Sequence, residues 1–247
     1  MLALVASTLL LAGCAGAGPS ADTADIFAAT PFEGGESLRY QLLNGEAEVV
    51  GAGVLEATVD GEALALHQRY DETDAPEGTT PAADDVTVWV DPATFRPLRG
   101  VREVTARNED GSTSLTSYEW NYGVDDDGDP AITTVRTDDD GDRDEDTLRL
   151  REHYYDNETS LWLWRSIEFV EELDAFYVSV NPMEDSQQTV NLRLPQTETV
   201  TVPAGEFEAY RLLFRNGRAV RTAWVEVAAP HRVLRWDNGD TVLELLP

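Results

Sequence analysis

Residues 37–70 read SLRYQLLNGEAEVVGAGVLEATVDGEALALHQRY, and this stretch decides the fold class. Apolar and polar side chains alternate through 37–43, Asn44-Gly45 interrupts, and alternation resumes before Asp60-Gly61 interrupts again. A period of two sends successive side chains to opposite faces of a strand. Asn-Gly and Asp-Gly supply the positive φ that two-residue hairpin turns require, so the stretch predicts antiparallel strands at 37–43, 46–59 and 62–70. Gly51 and Gly53, inside the second of these, mark expected bulges.

The same texture extends outward in both directions. Strands are expected at 86–90 (VTVWV), 98–107, 113–122, 131–137 and 147–155, and again at 175–180, 189–194, 198–202, 206–215, 218–227, 231–236 and 241–246. The Pro- and acid-rich residues 71–85 form the longest irregular stretch. Residues 158–170 (ETSLWLWRSIEFV) break the pattern. Their apolar positions suit a short helix or a packed loop, and periodicity does not decide between the two. Most neighbouring strands are joined by short turns, which favours sequential pairing. A chain of 247 residues with 42% hydrophobic content and no fixed-period repeat supports a single core. The expected fold is one all-β domain over residues 31–247, an antiparallel meander forming a strongly curved sheet, barrel or half-barrel, with at most one short helix.

The first thirty residues have a different character. Residues 2–12 (LALVASTLLLA) form an apolar run shorter than the ~20 residues a membrane-spanning helix needs. Leu11-Ala12-Gly13-Cys14 follows the pattern of a bacterial lipobox, and Cys14 is the sole cysteine of the chain. Residues 1–13 therefore read as a lipoprotein signal peptide and Cys14 as the lipidated residue. No cation precedes the apolar run, which the reading assigns to a start upstream of Met1. Residues 14–30 are small, polar and aperiodic from Ala15 onward, as expected of a flexible tether. The expected location is the cell envelope, facing the extracytoplasmic side, with the lipid on Cys14 as the contact to a membrane.

The C-terminal third carries a recognisable set of residues. VPAGEFEAY at 202–210, AWVEV at 223–227 and Pro230-His231-Arg232-Val233-Leu234 are similar to exported bacterial proteins grouped as domain of unknown function 3108. Phe32 to Tyr40 (FEGGESLRY) and Ser160 to Arg165 (SLWLWR) resemble that family's other landmarks, in the same order. The resemblance spans 31–247. It implies an all-β fold with a strongly curved sheet and an envelope location, and it brings no catalytic residues. On physical grounds alone, Pro203–Gly205 reads as a tight turn between two strands.

Composition and motif spacing narrow the chemistry. Forty-seven acidic residues face 18 basic ones, all Arg, for a net charge of −29. Phosphate recognition depends on clustered cations, so nucleic acid is not an expected partner. A single cysteine allows no intrachain disulfide and no thiol metal cluster. Three histidines at long spacings form no HExxH pair, and neither a GxSxG elbow nor a phosphate-binding Gly-rich loop occurs. No cofactor is expected. Eleven carboxylates crowd residues 125–146, with Asp125, Asp127 and Asp129 around one Gly turn and Asp138, Asp140 and Asp142 around another. These six are the candidate calcium ligands. Gly123 and Arg136 stand where an EF-type loop starts with Asp, and Thr134 and Thr147 where it ends with Glu, which favours two solvated hairpin turns. Trp89, Trp120, Trp224 and Trp236 sit in alternating runs, as core residues do. Trp162 and Trp164 stand outside such runs and are the ligand-binding candidates. The expected function is a non-enzymatic, envelope-anchored domain binding an apolar or lipid ligand. The alternatives are a calcium-stabilised structural surface protein and a carboxylate-based envelope hydrolase.

Overall fold

A computed structural model of the chain describes residues 22–32, 34–75, 79–108, 110–217 and 219–247. Cys14, the signal peptide and the first part of the tether lie outside these residues. The fold begins in the middle of its sheet. β1 (Glu36–Leu43) is followed by β2 (Val49–Asp60), β3 (Ala63–Glu72), β4 (Ala83–Val90), β5 (Pro97–Arg107), β6 (Thr113–Val124), β7 (Pro130–Thr137) and β8 (Arg143–Arg149). Each is antiparallel to the one before, so the chain walks outward to one edge. It then crosses to the opposite edge, β9 (Tyr154–Asp156), and returns through β10 (Asp174–Asn181), β11 (Ser186–Val202), β12 (Gly205–Asn216), β13 (Ala219–Glu226), β14 (Val233–Asp237) and β15 (Val242–Leu245). β15 pairs with β1 and seals the two arms into one sheet of 15 strands. Only the β9–β10 pair is parallel. The expected all-β meander is the observed fold, and the sheet does not close on itself.

The crossing at residues 150–153 explains the curvature. Strands lie about 4.8 Å apart, so a flat sheet of this size would hold its edges roughly 65 Å apart. A link of this length reaches at most about 18 Å. The sheet must therefore curl until its edges nearly meet. The Gln187 side chain on β11 fastens the start of this crossing: its amide N–H donates to the Arg149 carbonyl at 2.7 Å and its oxygen accepts the Arg151 N–H at 2.9 Å.

The predicted strand at 147–155 is thus two strands at opposite edges, broken at 150–153. Three further details differ from expectation. The predicted Asn44-Gly45 turn is a longer one, in which Ala47, at φ 61°, holds the left-handed position and the Asn44 side chain accepts the N–H groups of Glu46 and Glu48. Gly51 and Gly53 serve close approach, since a Cβ there would stand 2.9 Å from the Asp71 carbonyl and 3.0 Å from the Tyr70 ring; the register shift falls beside them, between Leu42 and Leu43. The last part of the segment read as a tether, from Thr23 onward, touches the domain. Ile26 is buried, Phe27 bridges to Ile167, and the N–H groups of Ala24 and Ala28 donate to Phe176 and Ser166 at 2.8 and 2.7 Å.

The curled sheet is filled from inside by residues 156–167. A short 3₁₀ turn (Asn157–Thr159) runs into α1 (Ser160–Leu163), the element that periodicity left between helix and packed loop. Asp156 caps it by accepting the Glu158 N–H at 2.8 Å. Trp162, Leu163, Arg165 and Ser166 are all buried. Trp120 of β6 packs here over Gly100 of β5, where a Cβ would meet its ring at 2.2 Å, and its indole N–H donates to Asp156.

Candidate functional site

Strand alternation gives each arm of the sheet a concave face, and the interior segment covers only part of it. What remains is a cleft of about 850 Å³ at the mouth of the curl, between β3–β5 on one side and β10–β14 on the other. Its two walls differ in chemistry.

One wall is ionic. Arg102 of β5 donates to both carboxylate oxygens of Asp84 on β4, at 2.7 and 2.5 Å, and to Glu158 at 3.1 Å. Gln68 of β3 adds a bond to Glu158 at 3.0 Å, and Tyr70 donates to Gln68 at 3.1 Å. Burial pushes the Glu158 carboxyl above the usual range although Arg102 pulls it down. Behind this wall, and not lining the cleft, lies Asp156. One of its oxygens accepts the Trp120 indole N–H and the Tyr122 hydroxyl, both at 2.8 Å. Full burial, reinforced by the nearby Glu158 charge, raises its pKa to about 7.

The other wall is aromatic. Trp164, just past α1, stacks on Phe214 of β12 with ring centroids 3.9 Å apart and lies 4.5 Å from Trp236 of β14. Tyr177 of β10 also borders the cleft, its hydroxyl 3.4 Å from the Trp164 indole nitrogen. Around these rings stand Gln188, Asn216, Arg221 and Asn238. Among the described residues, the side chains of Gln188, Asn216 and Arg221 and the Trp236 indole N–H have no hydrogen-bond partner in the protein.

The sequence-predicted sites fare differently. Both tryptophans are buried, Trp164 at 4% and Trp162 at 1% exposure; Trp164 borders the cleft, whereas Trp162, two residues earlier, does not. A helical turn separates their directions where a strand would have kept them on one face. The acidic turns are remote from the cleft. Asp125 accepts the N–H groups of Asp127 and Asp129, and Asp140 accepts that of Asp142. Asp138 pairs with Arg136 at 2.8 Å, and Asp129 pairs with Arg149. Among the described residues no group of three or more His, Cys, Asp or Glu is arranged to hold a metal ion. Sequence reasoning missed Asp84, Arg102, Asp156 and Glu158. One signal was available: Asp156 stands two residues ahead of the 158–170 segment that breaks strand alternation, and Asp is a favoured helix N-cap.

This geometry defines a barrel-like, unclosed β-meander with an internal plug and a mixed polar and aromatic cleft. The chain belongs to the family described as Protein of unknown function (DUF3108), which matches residues 37–245. Among solved structures, a β-barrel-like protein of domain of unknown function DUF1849 from Brucella abortus aligns with a TM-score of 0.52 at 11% identity, over 85% of this chain and 95% of its own. That likeness concerns the fold alone. A putative exported protein with a YmcC-like fold from Bacteroides fragilis aligns over 90% of this chain and 98% of its own at 12% identity, with a TM-score of 0.27. No curated protein sequence matches the chain. No helix among the described residues is long and apolar enough to cross a membrane.

Proposed function

We propose that this protein is an exported lipoprotein, held to a membrane through Cys14, whose all-β domain is a non-enzymatic binding module with the cleft as its ligand site. The observation that carries the reading is the cleft itself, about 850 Å³ with an aromatic wall and a polar one. Clefts of this volume, mostly preformed and combining apolar surface with a few placed polar groups, are the usual seats of small ligands. The polar lining narrows the sequence-derived expectation of an apolar or lipid ligand. Hydrocarbon would strip water from amide and charged groups without replacing it, at roughly 1–3 kcal/mol for each group left unpaired. The ligand that fits is small and two-faced. A hydrolase is less well supported, because both inner carboxylates of the cleft are tied to Arg102 and Asp156 lies behind its wall.

The test is native mass spectrometry of protein purified from its own host, beside Ala219→Trp, which fills the cleft from its exposed rim. A bound mass present in the wild type and absent from the variant is the expected result. Identical spectra from both proteins would sink the cleft as the site. Anchoring is tested separately: Cys14→Ser should move the protein from the detergent to the aqueous phase in a detergent partition.

A further inference from the structure

We propose that the cleft takes a neutral saccharide, an assignment that rests on the binding-module reading above. The cleft holds two sets of polar groups in different states. The set on the ionic wall is closed: Asp84, Arg102, Glu158 and Gln68 bond to one another. The set on the aromatic wall is open. Phe214 and Arg221 are direct partners across β12 and β13, Asn216 lies two residues along from Phe214 on the same face, and Gln188 borders the cleft from the neighbouring β11. As noted, the free side chains of Gln188, Asn216 and Arg221 and the Trp236 N–H await partners.

The open set selects a ligand class by elimination and by fit. Among the described residues, an anionic ligand would approach Asp84, Glu158 and Glu184 with Arg221 as the one cleft cation not already paired, on a protein of net charge −29. A cation would find only Glu184 unpaired among the described carboxylates of the cleft, at its exposed rim, because the two inner ones are held by Arg102. What remains is a neutral molecule with a polar edge and an apolar face. A sugar ring has both. Each hydroxyl is at once donor and acceptor, and the Asn216 and Gln188 amides offer both functions in return. The axial C–H groups of the ring carry partial positive charge, which suits the electron-rich face of Trp236, the ring of this wall that is partly exposed. The volume accommodates a short oligosaccharide rather than a single ring.

The assignment is tested on a glycan array carrying neutral and anionic oligosaccharides, followed by calorimetric titration of the strongest hit as free oligosaccharide. The multivalent display of an array detects weak sites. Neutral glycans should bind, and Asn216→Ala and Arg221→Ala should each weaken the titrated affinity by roughly tenfold. Both positions are exposed, so the variants should melt with the wild type. An array with no hits, hits confined to anionic glycans, or affinities unchanged in both variants would overturn the assignment. Parallel titration with cis-parinaric acid separates the two readings. Uptake of that probe, lost in Ala219→Trp, with no glycan bound would leave the binding module standing and remove the saccharide. Binding of neither, together with no bound mass on the protein from its own host, would remove both.

Discussion

Residues 125–146 hold eleven carboxylates, while residues 156–165 hold two carboxylates and one Arg. In the acidic turns the side chains cap their own loops and make half-exposed ion pairs, as Arg136 does with Asp138. Exposed pairs of that kind contribute about 0–1 kcal/mol each. In the interior segment every charged group is enclosed and joins distant parts of the sheet. Asp156 ties β6 to β9, Glu158 reaches Arg102 of β5, and Arg165 forks onto both oxygens of Glu36 in β1 at 2.5 and 2.9 Å. Burial, not the number of charges, decides how strongly a residue bears on this fold.

The largest effect that would separate the two regions is expected at Arg165, which is 2% exposed. Besides Glu36 it donates to the carbonyls of His231 and Pro230 at 3.0 and 3.1 Å and lies over the Phe32 ring. Arg165→Met leaves the Glu36 carboxylate and both carbonyls without their donor, at a cost of about 3–5 kcal/mol. Thermal melting should fall by roughly 10 °C, given about 2–4 °C per kcal/mol at this size. Adding Glu36→Leu should recover much of the loss by removing the stranded charge. A melting point unchanged in Arg165→Met would mean that the interior segment is not joined to β1 through this guanidinium.

Asp156 comes next, and its signature is pH. The folded protein holds the proton up to about pH 7, whereas the unfolded carboxyl releases it near its ordinary 3.8. The folded state therefore binds the extra proton between those values, and stability falls as pH rises through that window, levelling off above it. The whole decline amounts to at most roughly 4 kcal/mol. Asp156→Asn carries no charge at either end of the range. Its melting point should change less between pH 5 and pH 8 than that of the wild type. Parallel pH profiles for the two proteins would contradict the buried, proton-holding carboxyl.

How much of this was legible in the sequence differs between the same two regions. Turn chemistry and period two are local, so most strands and the Asp60-Gly61 hairpin could be read from residues side by side. The break at 150–153 could not. Leu148, Leu150 and the tyrosines at 154 and 155 continue an extended pattern through it, and only the distance between sheet edges forces the crossing. The cleft is still less visible. Gln68, Asp84 and Arg102 look like ordinary strand residues, and their meeting with Glu158 depends on curling β3–β5 over a segment some 56 to 90 residues away. Trp164 stood out in the sequence because it departs from strand alternation; Phe214 and Trp236, which border the same cleft, did not because they obey it.

The acidic turns supply the smallest effect and the sharpest check on the comparison. Asp138→Asn with Asp140→Asn removes two charges while leaving each side chain an oxygen, so the bond from Asp140 to the Asp142 N–H is retained in kind. The double variant loses the Arg136–Asp138 pair, about 0–1 kcal/mol, and gains relief from repulsion among the remaining carboxylates. These terms oppose each other, so the melting point should stay within about 2 °C of the wild type. Sodium chloride at 1 M should erase even that difference, since it shortens the screening length to about 3 Å. Divalent ions distinguish screening from a formed site. A specific calcium site saturates, and at a free concentration of ~100 times its Kd it adds roughly 2.7 kcal/mol, a rise of several degrees. Screening gives a smaller rise that magnesium reproduces. The solvated, self-capped turns predict the second pattern, with calcium and magnesium alike and little change in the double variant. A saturable rise specific to calcium, abolished by the two substitutions, would show that exposed charge in this chain does more than keep its surface wet.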